Sequence, residues 1–444
     1  MFKLILTVLF AFINAVAGAG GVGRFDSHDG TYNAQTDFGW YKQLYYQART
    51  RSLIADLSRT AGGQGEVEAF SGTGLSSVIK RVKISSGDMM RFTLEENVSG
   101  LPTYGDTPVR GGQFLEFKNM EARVNNIDSP ALRVVGKMSQ QRVRESIQNL
   151  PAETKRQVLD YMAEQLEFEA IPALLVGGSP SVHKPLSEGG LALNLGIGNG
   201  AGAGVPLMNK NWYTPAGGFL AYNTTPATWN TAVNTAINGV DADAGHQFAL
   251  ATHQIIRAKL DDLLWNPVTV NGKKYKAIAG CDPDIMWRLR ALLKTDYTNA
   301  RERGKENPIF NVDYMIELDD VLYFSWRNLK KYRPANSSTA ATGPDFGALS
   351  ENKDPRGYTY SSPRNQAMVI YMGANALVEG YNDAIEVNEE NARFKKGLEI
   401  AAHMQEGFVR GEWYAKDGRT STDAVENRSV LCAAFHEPGV GQTA

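Results

Sequence analysis

His246 and His253 lie seven residues apart on a segment that reads as helix, so both fall on nearly one face. Two imidazoles there could begin a metal site, but no third ligand accompanies them, and zinc sites need three or four protein ligands. A packed or hydrogen-bonded pair suits the spacing better. The carboxylate pairs Asp261-Asp262, Asp319-Asp320 and Glu389-Glu390 could act as acid and base only if their side chains converged. Adjacent residues mostly point apart, so turn or surface positions are expected. The glycine-rich run from Gly196 to Gly204 could cradle a phosphate, but such a loop must open a helix, and Pro206 follows instead. Cys281 and Cys432 lie 151 residues apart, which excludes a disulfide framework and a cysteine-built zinc site. There is no P-loop, HExxH, GxSxG or EF-hand spacing. No catalytic, cofactor-binding or metal-ligating set is assigned. The aromatics Trp212, Tyr213, Phe219, Tyr222 and Trp229 could line a sugar-binding face, although packing is their commoner use.

The chain that must position these residues has 444 of them, with 43% hydrophobic and 21% charged. Those proportions exclude a disordered chain and a polytopic membrane protein. Lys and Arg number 46 against 48 Asp and Glu, a net charge of −2. A dedicated nucleic-acid binder would show a basic excess. At the N-terminus, Met1-Phe2-Lys3 precedes the apolar run Leu4 to Ala17, and Ala15-Val16-Ala17 and Ala17-Gly18-Ala19 fit the small-residue cleavage rule. That pattern describes a secretory signal, or else a hydrophobic arm that docks on a neighbouring subunit. It is short for a span, which needs about 20 apolar residues.

Along the chain, a helix is expected over Gln47 to Ser58, broken by Gly62-Gly63-Gln64-Gly65. Met90, Phe92 and Leu94 alternate with Arg91, Thr93 and Glu95, which predicts a strand. A turn-rich tip from Gly100 to Asp106 and a return strand around Phe114 to Phe117 follow. A two-stranded excursion of this kind cannot bury both faces and needs another chain to lie on. Residues 139–175 are the most helical stretch, with Val158, Met162 and Leu166 on one stripe and Pro151 as kink or restart. Residues 137–156 carry a net +3 and residues 157–170 a net −4. A solvated face is the common reason for such a split; pairing with neighbouring copies is the sharper one. Residues 177–240 read as one low-complexity insertion. Beyond it, helices are expected over Gln247 to Leu264, Pro283 to Thr295 and Ala374 to Tyr381. Strands are expected over Tyr275 to Gly280 and Gln366 to Met372, with a hairpin from Tyr314 to Trp326 turning at Asp319-Asp320. Val430 to Phe435 is expected to close a sheet.

Several segments taken in order resemble one family. Ser86-Gly87-Asp88 leads into Met89 to Leu94, with Gly100 and Gly111-Gly112 around the loop. Gly136-Lys137-Met138-Ser139-Gln140-Gln141-Arg142 opens the long helix. Asp282-Pro283 precedes Trp287-Arg288-Leu289-Arg290, and Asn307-Pro308-Ile309-Phe310 follows. Gly373-Ala374-Asn375-Ala376-Leu377 and Asn388-Glu389-Glu390-Asn391 come late. Over roughly Phe70 to Phe435 the chain resembles the major capsid proteins of tailed double-stranded DNA phages, nearest the N-four-like branch. Ala392-Arg393-Phe394 stands where that branch usually has Asp-Tyr-Gly-like residues.

The resemblance implies an α+β fold of the Hong Kong 97 type, divided into an N-terminal arm (1–70), an extended loop (71–125), a peripheral domain with its spine helix and the 177–240 insertion (126–245), an axial domain (246–384) and a return to the peripheral domain (385–444). It implies a non-enzymatic protein of the virion, assembled in the host bacterial cytoplasm into hexamers and pentamers of itself. Portal, scaffolding and decoration proteins would be partners, and packaged double-stranded DNA would be touched non-specifically on the inner face. A net charge near zero suits containment without tight phosphate contacts. No cofactor, small-molecule substrate or inter-subunit crosslink is expected. Met89, Met90, Phe92, Tyr104 and Phe114 are the expected contacts with a neighbouring subunit. The rival readings are a secreted or cell-surface, carbohydrate-type binding protein, motivated by the N-terminus and the aromatics, and a secreted hydrolase with a distant carboxylate pair.

Overall fold

Gln366 to Met372 carries one apolar side chain after another, so a strand there must be buried on both faces. The computed structural model bears this out. It describes residues 78–84, 89–95, 117–129, 132–133, 150–176, 209–221, 226–241, 244–263, 267–270, 273–293, 315–335, 345–346, 366–392, 397–411, 413–414, 425–426 and 429–437. Among them, the largest sheet has seven strands in the order β11-β12-β10-β15-β20-β6-β7. These are β11 (Met315–Leu318), β12 (Val321–Ser325), β10 (Ala277–Cys281), β15 (Gln366–Met372), β20 (Val430–His436), β6 (Asn211–Thr214) and β7 (Gly218–Ala221). β10 runs parallel to β12 and β20 parallel to β6; the remaining pairs are antiparallel.

Period two divides the core into layers. Ala367, Val369 and Tyr371 of β15, with Leu431, Ala433 and Phe435 of β20, face one cluster. Met368, Ile370 and Met372, with Val430, Cys432 and Ala434, face the other. The first layer is covered by α3 (Leu250–Asp262) and α4 (Pro283–Leu292), through Ile256, Leu260, Ile285 and Leu289. The second is covered by α1 (Leu150–Val176) and α2 (Pro226–Asp241), through Leu166, Ile171, Trp229 and Val233. Each such side chain removed from water is worth about 1.5–3 kcal/mol.

A second sheet has the order β1-β16-β17-β4, built from β1 (Ile79–Lys83), β16 (Leu377–Ala392), β17 (Gly397–Arg410) and β4 (Asn125–Asp128), with β5 (Leu132–Arg133) also on β17. Its residues Leu377, Met404 and Phe408 share the cluster into which α1 packs. A four-stranded sheet, β19-β18-β3-β2, joins β2 (Met89–Glu95) and β3 (Phe117–Arg123) to β18 (Trp413–Tyr414) and β19 (Val425–Glu426). Two small pairs complete the strands: β8 (Val268–Val270) with β9 (Lys273–Tyr275), and β13 (Pro334–Ala335) with β14 (Asp345–Phe346).

Five expectations need correction. The segment Ala374 to Tyr381 is not a helix: Asn375 turns the chain at φ 58° and β16 begins at Leu377. There Leu377 to Tyr381 pairs with both β1 and β17, and two ladders outweigh weak helix propensity. Val430–His436 does not close its sheet but lies inside it, between β15 and β6. The 177–240 stretch is not one insertion: Asn211–Thr214, Gly218–Ala221 and Pro226–Asp241 belong to the core layers. The excursion at 78–124 is not a lone two-stranded ribbon, because β3 pairs with β18 of the same chain and Ala122 packs on Val82, Ile84 and Val378. Finally, His246 is in a 3-10 turn (Ala244–His246) and α3 starts only at Leu250, so the two histidines share no helix. The expected helix over 47–58, the tip at 100–106 and the first turns of the 139–175 helix lie outside the described residues.

Two helix features were not foreseen. Pro172 sits inside α1 and cannot donate to the Phe168 carbonyl; the Tyr332 hydroxyl donates to it instead, at 3.4 Å. At the end of α1, the Leu175 carbonyl accepts from the Asn209 N–H at 3.0 Å and faces the buried Arg410 guanidinium at 3.5 Å. Burial pulls Arg410 down to about 10, which leaves it charged at neutral pH beside the negative end of the helix.

Where β16 and β17 leave the second sheet, the Gly411 N–H donates to the Ala376 carbonyl at 2.8 Å. A Cβ on Gly411 would lie 1.9 Å from the Asn375 carbonyl oxygen. Only glycine fits that crossing.

Candidate functional site

Three of the residues expected to touch a neighbour lie on a strand at the end of a sheet. Met89, Met90 and Phe92 lie on β2, the last strand of the four-stranded sheet, opposite Arg123, Ala122 and Met120. Tyr104 and Phe114 lie outside the described residues.

The polar groups gather instead round β10. At its C-terminal end, Asp282 caps α4 by accepting from the Asp284 N–H at 3.1 Å, with Pro283 in the first helical turn. Arg333 donates through Nε and Nη2 to the two Asp282 oxygens, at 2.6 and 2.5 Å, and also to Asp284. Burial pushes Asp284 up, but the Arg333 and Lys330 charges outweigh it and hold the carboxyl below its ordinary range. A step further, Glu437 meets Arg288 at 3.1 Å and accepts from the Phe248 N–H at 3.3 Å. Burial pushes Glu437 up to about 7, against the pull of Arg288.

At the other end of β10, the β11–β12 turn at Asp319-Asp320 is where the spacing put it. Both residues have positive φ, 44° and 63°. Arg257 of α3 donates to the Asp319 carbonyl at 3.0 Å and pairs with Asp261, while Lys276 reaches Asp261 at 3.2 Å. His253 is buried between this turn and Tyr323 of β12. The paired carboxylates whose side chains are described thus serve the turn and surface ion pairs, with Asp261 and Asp320 meeting across the Arg257 guanidinium.

Cys281 and Cys432 are buried free thiols on opposite layers of the sheet, and burial raises both, Cys432 to about 12. Among the described residues, no group of three or more His, Cys, Asp or Glu is placed to hold a metal ion. Trp212, Tyr213 and Trp229 are buried, and the Trp229 indole N–H donates to the Asn209 carbonyl at 3.1 Å. They are core residues, which removes the basis for a carbohydrate face; Tyr222 lies outside the described residues. Glu167, one of the acidic residues of α1, accepts from Asn328 at 2.7 Å within the chain.

Sequence reasoning did not single out the exposed apolar side chains. The large ones among the described residues are Leu250, Ile255, Trp287 and Leu292, all on α3 and α4, with Trp287 at 64%. Trp287 sits between positions that face the sheet, so helical periodicity could have flagged it.

No family model matches this chain, and no curated protein matches it. Solved structures do. The chain is similar to one in the capsid asymmetric unit of cyanophage Pam1, 14% identical, covering 86% of this chain and 98% of the other at a TM-score of 0.50. It is also similar to the capsid chain of Ralstonia phage GP4, 17% identical, covering 87% and 95% at a TM-score of 0.50. The chain therefore has the α+β fold of phage capsid chains, the Hong Kong 97-type architecture that the resemblance implied.

Proposed function

We propose that this chain is the major capsid protein of a tailed phage, many copies of which assemble into an icosahedral shell around the genome. The observation that carries the reading is that the likeness to capsid chains spans nearly the whole length of both partners and not one sheet. In this reading the protein is structural and has no enzymatic activity. It resides in the virion, is assembled in the host cytoplasm, and meets portal, scaffolding and decoration proteins and the packaged DNA.

The four-stranded sheet is the base of the extended loop, and Met89, Met90, Phe92, Tyr104 and Phe114 contact the next subunit. α1 and the part of the second sheet beyond residue 384 belong to the peripheral body, and the segment 246–384 approaches the centre of each hexamer or pentamer. Obligate interfaces of this kind bury about 2,000–5,000 Å².

The test is electron microscopy with size-exclusion chromatography of the protein expressed alone and with its neighbouring genes. Closed shells, or rings of five or six copies, are expected. A monodisperse monomer under every condition would overturn the reading. Phe92→Asp is expected to abolish closed shells while leaving the monomer's unfolding transition in place, and normal shells from that variant would overturn the loop assignment.

A further inference from the structure

Where α3 crosses the β11–β12 hairpin, three polar rings form a chain into the core that the shell reading does not use. His253, in the first turn of α3, is 1% exposed. Its Nδ1 is 2.6 Å from the Tyr323 hydroxyl, which is 3.3 Å from the Tyr371 hydroxyl. Its Nε2 is 3.4 Å from Oδ2 of Asp319. The carboxylate selects the tautomer: a hydrogen on Nε2 faces it, so Nδ1 accepts from the Tyr323 O–H and the Tyr323 oxygen accepts from the Tyr371 O–H. Every hydrogen of the three groups then has an acceptor or faces a negative charge.

Protonating Nδ1 reverses that chain. Nδ1–H donates to Tyr323, Tyr323 donates to Tyr371, and the Tyr371 hydrogen loses the Tyr323 oxygen as its acceptor in a wholly buried site. An unpaired buried donor is costly. We propose that His253 is a proton-sensitive latch that clips α3 to the β11–β12 hairpin when neutral and releases it when protonated.

The groups around it set the direction. Burial pulls His253 below the ordinary histidine range; Asp319 from the turn opposes this, and Arg257 on its own helix adds to it. Asp320 faces Arg257. Tyr323 of β12, Tyr371 of β15, Cys281 of β10 and Tyr213 of β6 are all pushed up, chiefly by burial, and stay neutral. Because the folded value lies below the unfolded one, the latch contributes fully above about pH 6.5 and is lost as the pH falls below that. Glu437 titrates nearby but with the opposite sign, and is the control.

The experiment is hydrogen exchange by mass spectrometry on the full chain, from about pH 8 to about pH 5, corrected for the intrinsic rate. Amides of 250–262 and 315–325 should lose at least about tenfold in protection relative to 366–372. His253→Gln should remove that pH dependence, and Glu437→Gln should keep it. A wild-type protein without the loss, or an identical loss in His253→Gln, would each overturn the latch. None of these outcomes bears on shell formation.

Discussion

At the C-terminal end of β10, the side chains of Arg333 and Asp282 are 4% and 0% exposed and meet through two hydrogen bonds, whereas near its N-terminal end those of Arg257 and Asp261 are 23% and 56% exposed. The residue types are the same and the energetics are not. An exposed pair is screened by water and is worth about 0–1 kcal/mol. A buried pair adds little over a well-packed apolar pair, yet breaking it strands a charge and costs about 3–5 kcal/mol. One end of the sheet is therefore fixed, and the other can yield to its surroundings.

The largest effect is expected where that contrast is broken at the buried end. Arg333→Met should lower unfolding stability by about 3–5 kcal/mol in denaturant titrations, because the enclosed Asp282 carboxyl loses its partner. Removing Asp282 as well should recover part of the loss, and simple additivity in the double-mutant cycle would refute the coupling. At the same end, Gly280→Ala should cost about 1–3 kcal/mol, since its Cβ would sit 2.7 Å from the Trp326 ring.

Acidity should sharpen the contrast further. Glu437 is raised to about 7, so its contribution is full below its ordinary carboxylate range and is lost as the pH rises through 7. Glu437→Gln should flatten the fall of the urea midpoint between about pH 5 and pH 8; an unchanged fall would place its origin elsewhere. At the exposed end the effects should be small. Arg257→Ala should cost less than about 1 kcal/mol. Asp320→Gly should stabilise by about 0.5 kcal/mol, because glycine accepts φ 63° without strain and the lost pairing is solvated.

How much could be read beforehand depended on how local the determinants were. β15 and the turn at Asp319-Asp320 were legible because alternation and turn chemistry lie within a few residues. The start of α4 was legible because Asp282-Pro283 is a cap and a first-turn proline in succession. Residues 374–381 misled because Ala-Asn-Ala-Leu favours a helix, while the two ladders that override it come from 79–83 and 406–410. Trp212 and Trp229 were ambiguous because an aromatic run looks alike on a ligand face and in a core. The partner of Asp282, 51 residues away, left no mark at all, and β18 and β19 are too short to carry a pattern. Of the proposed contact set, Met89, Met90 and Phe92 could be placed on a strand from alternation, but a pattern within one chain does not name what they touch.

The crossing at Asn375 and Gly411 also has a mechanical meaning. β16 enters the second sheet there and β17 leaves it, so a pull on the chain at the crossing acts along the axis of that hairpin. Its ladders to β1 and β4 lie across the axis and are loaded in shear. The joint should hold to a threshold force and then slip as a unit.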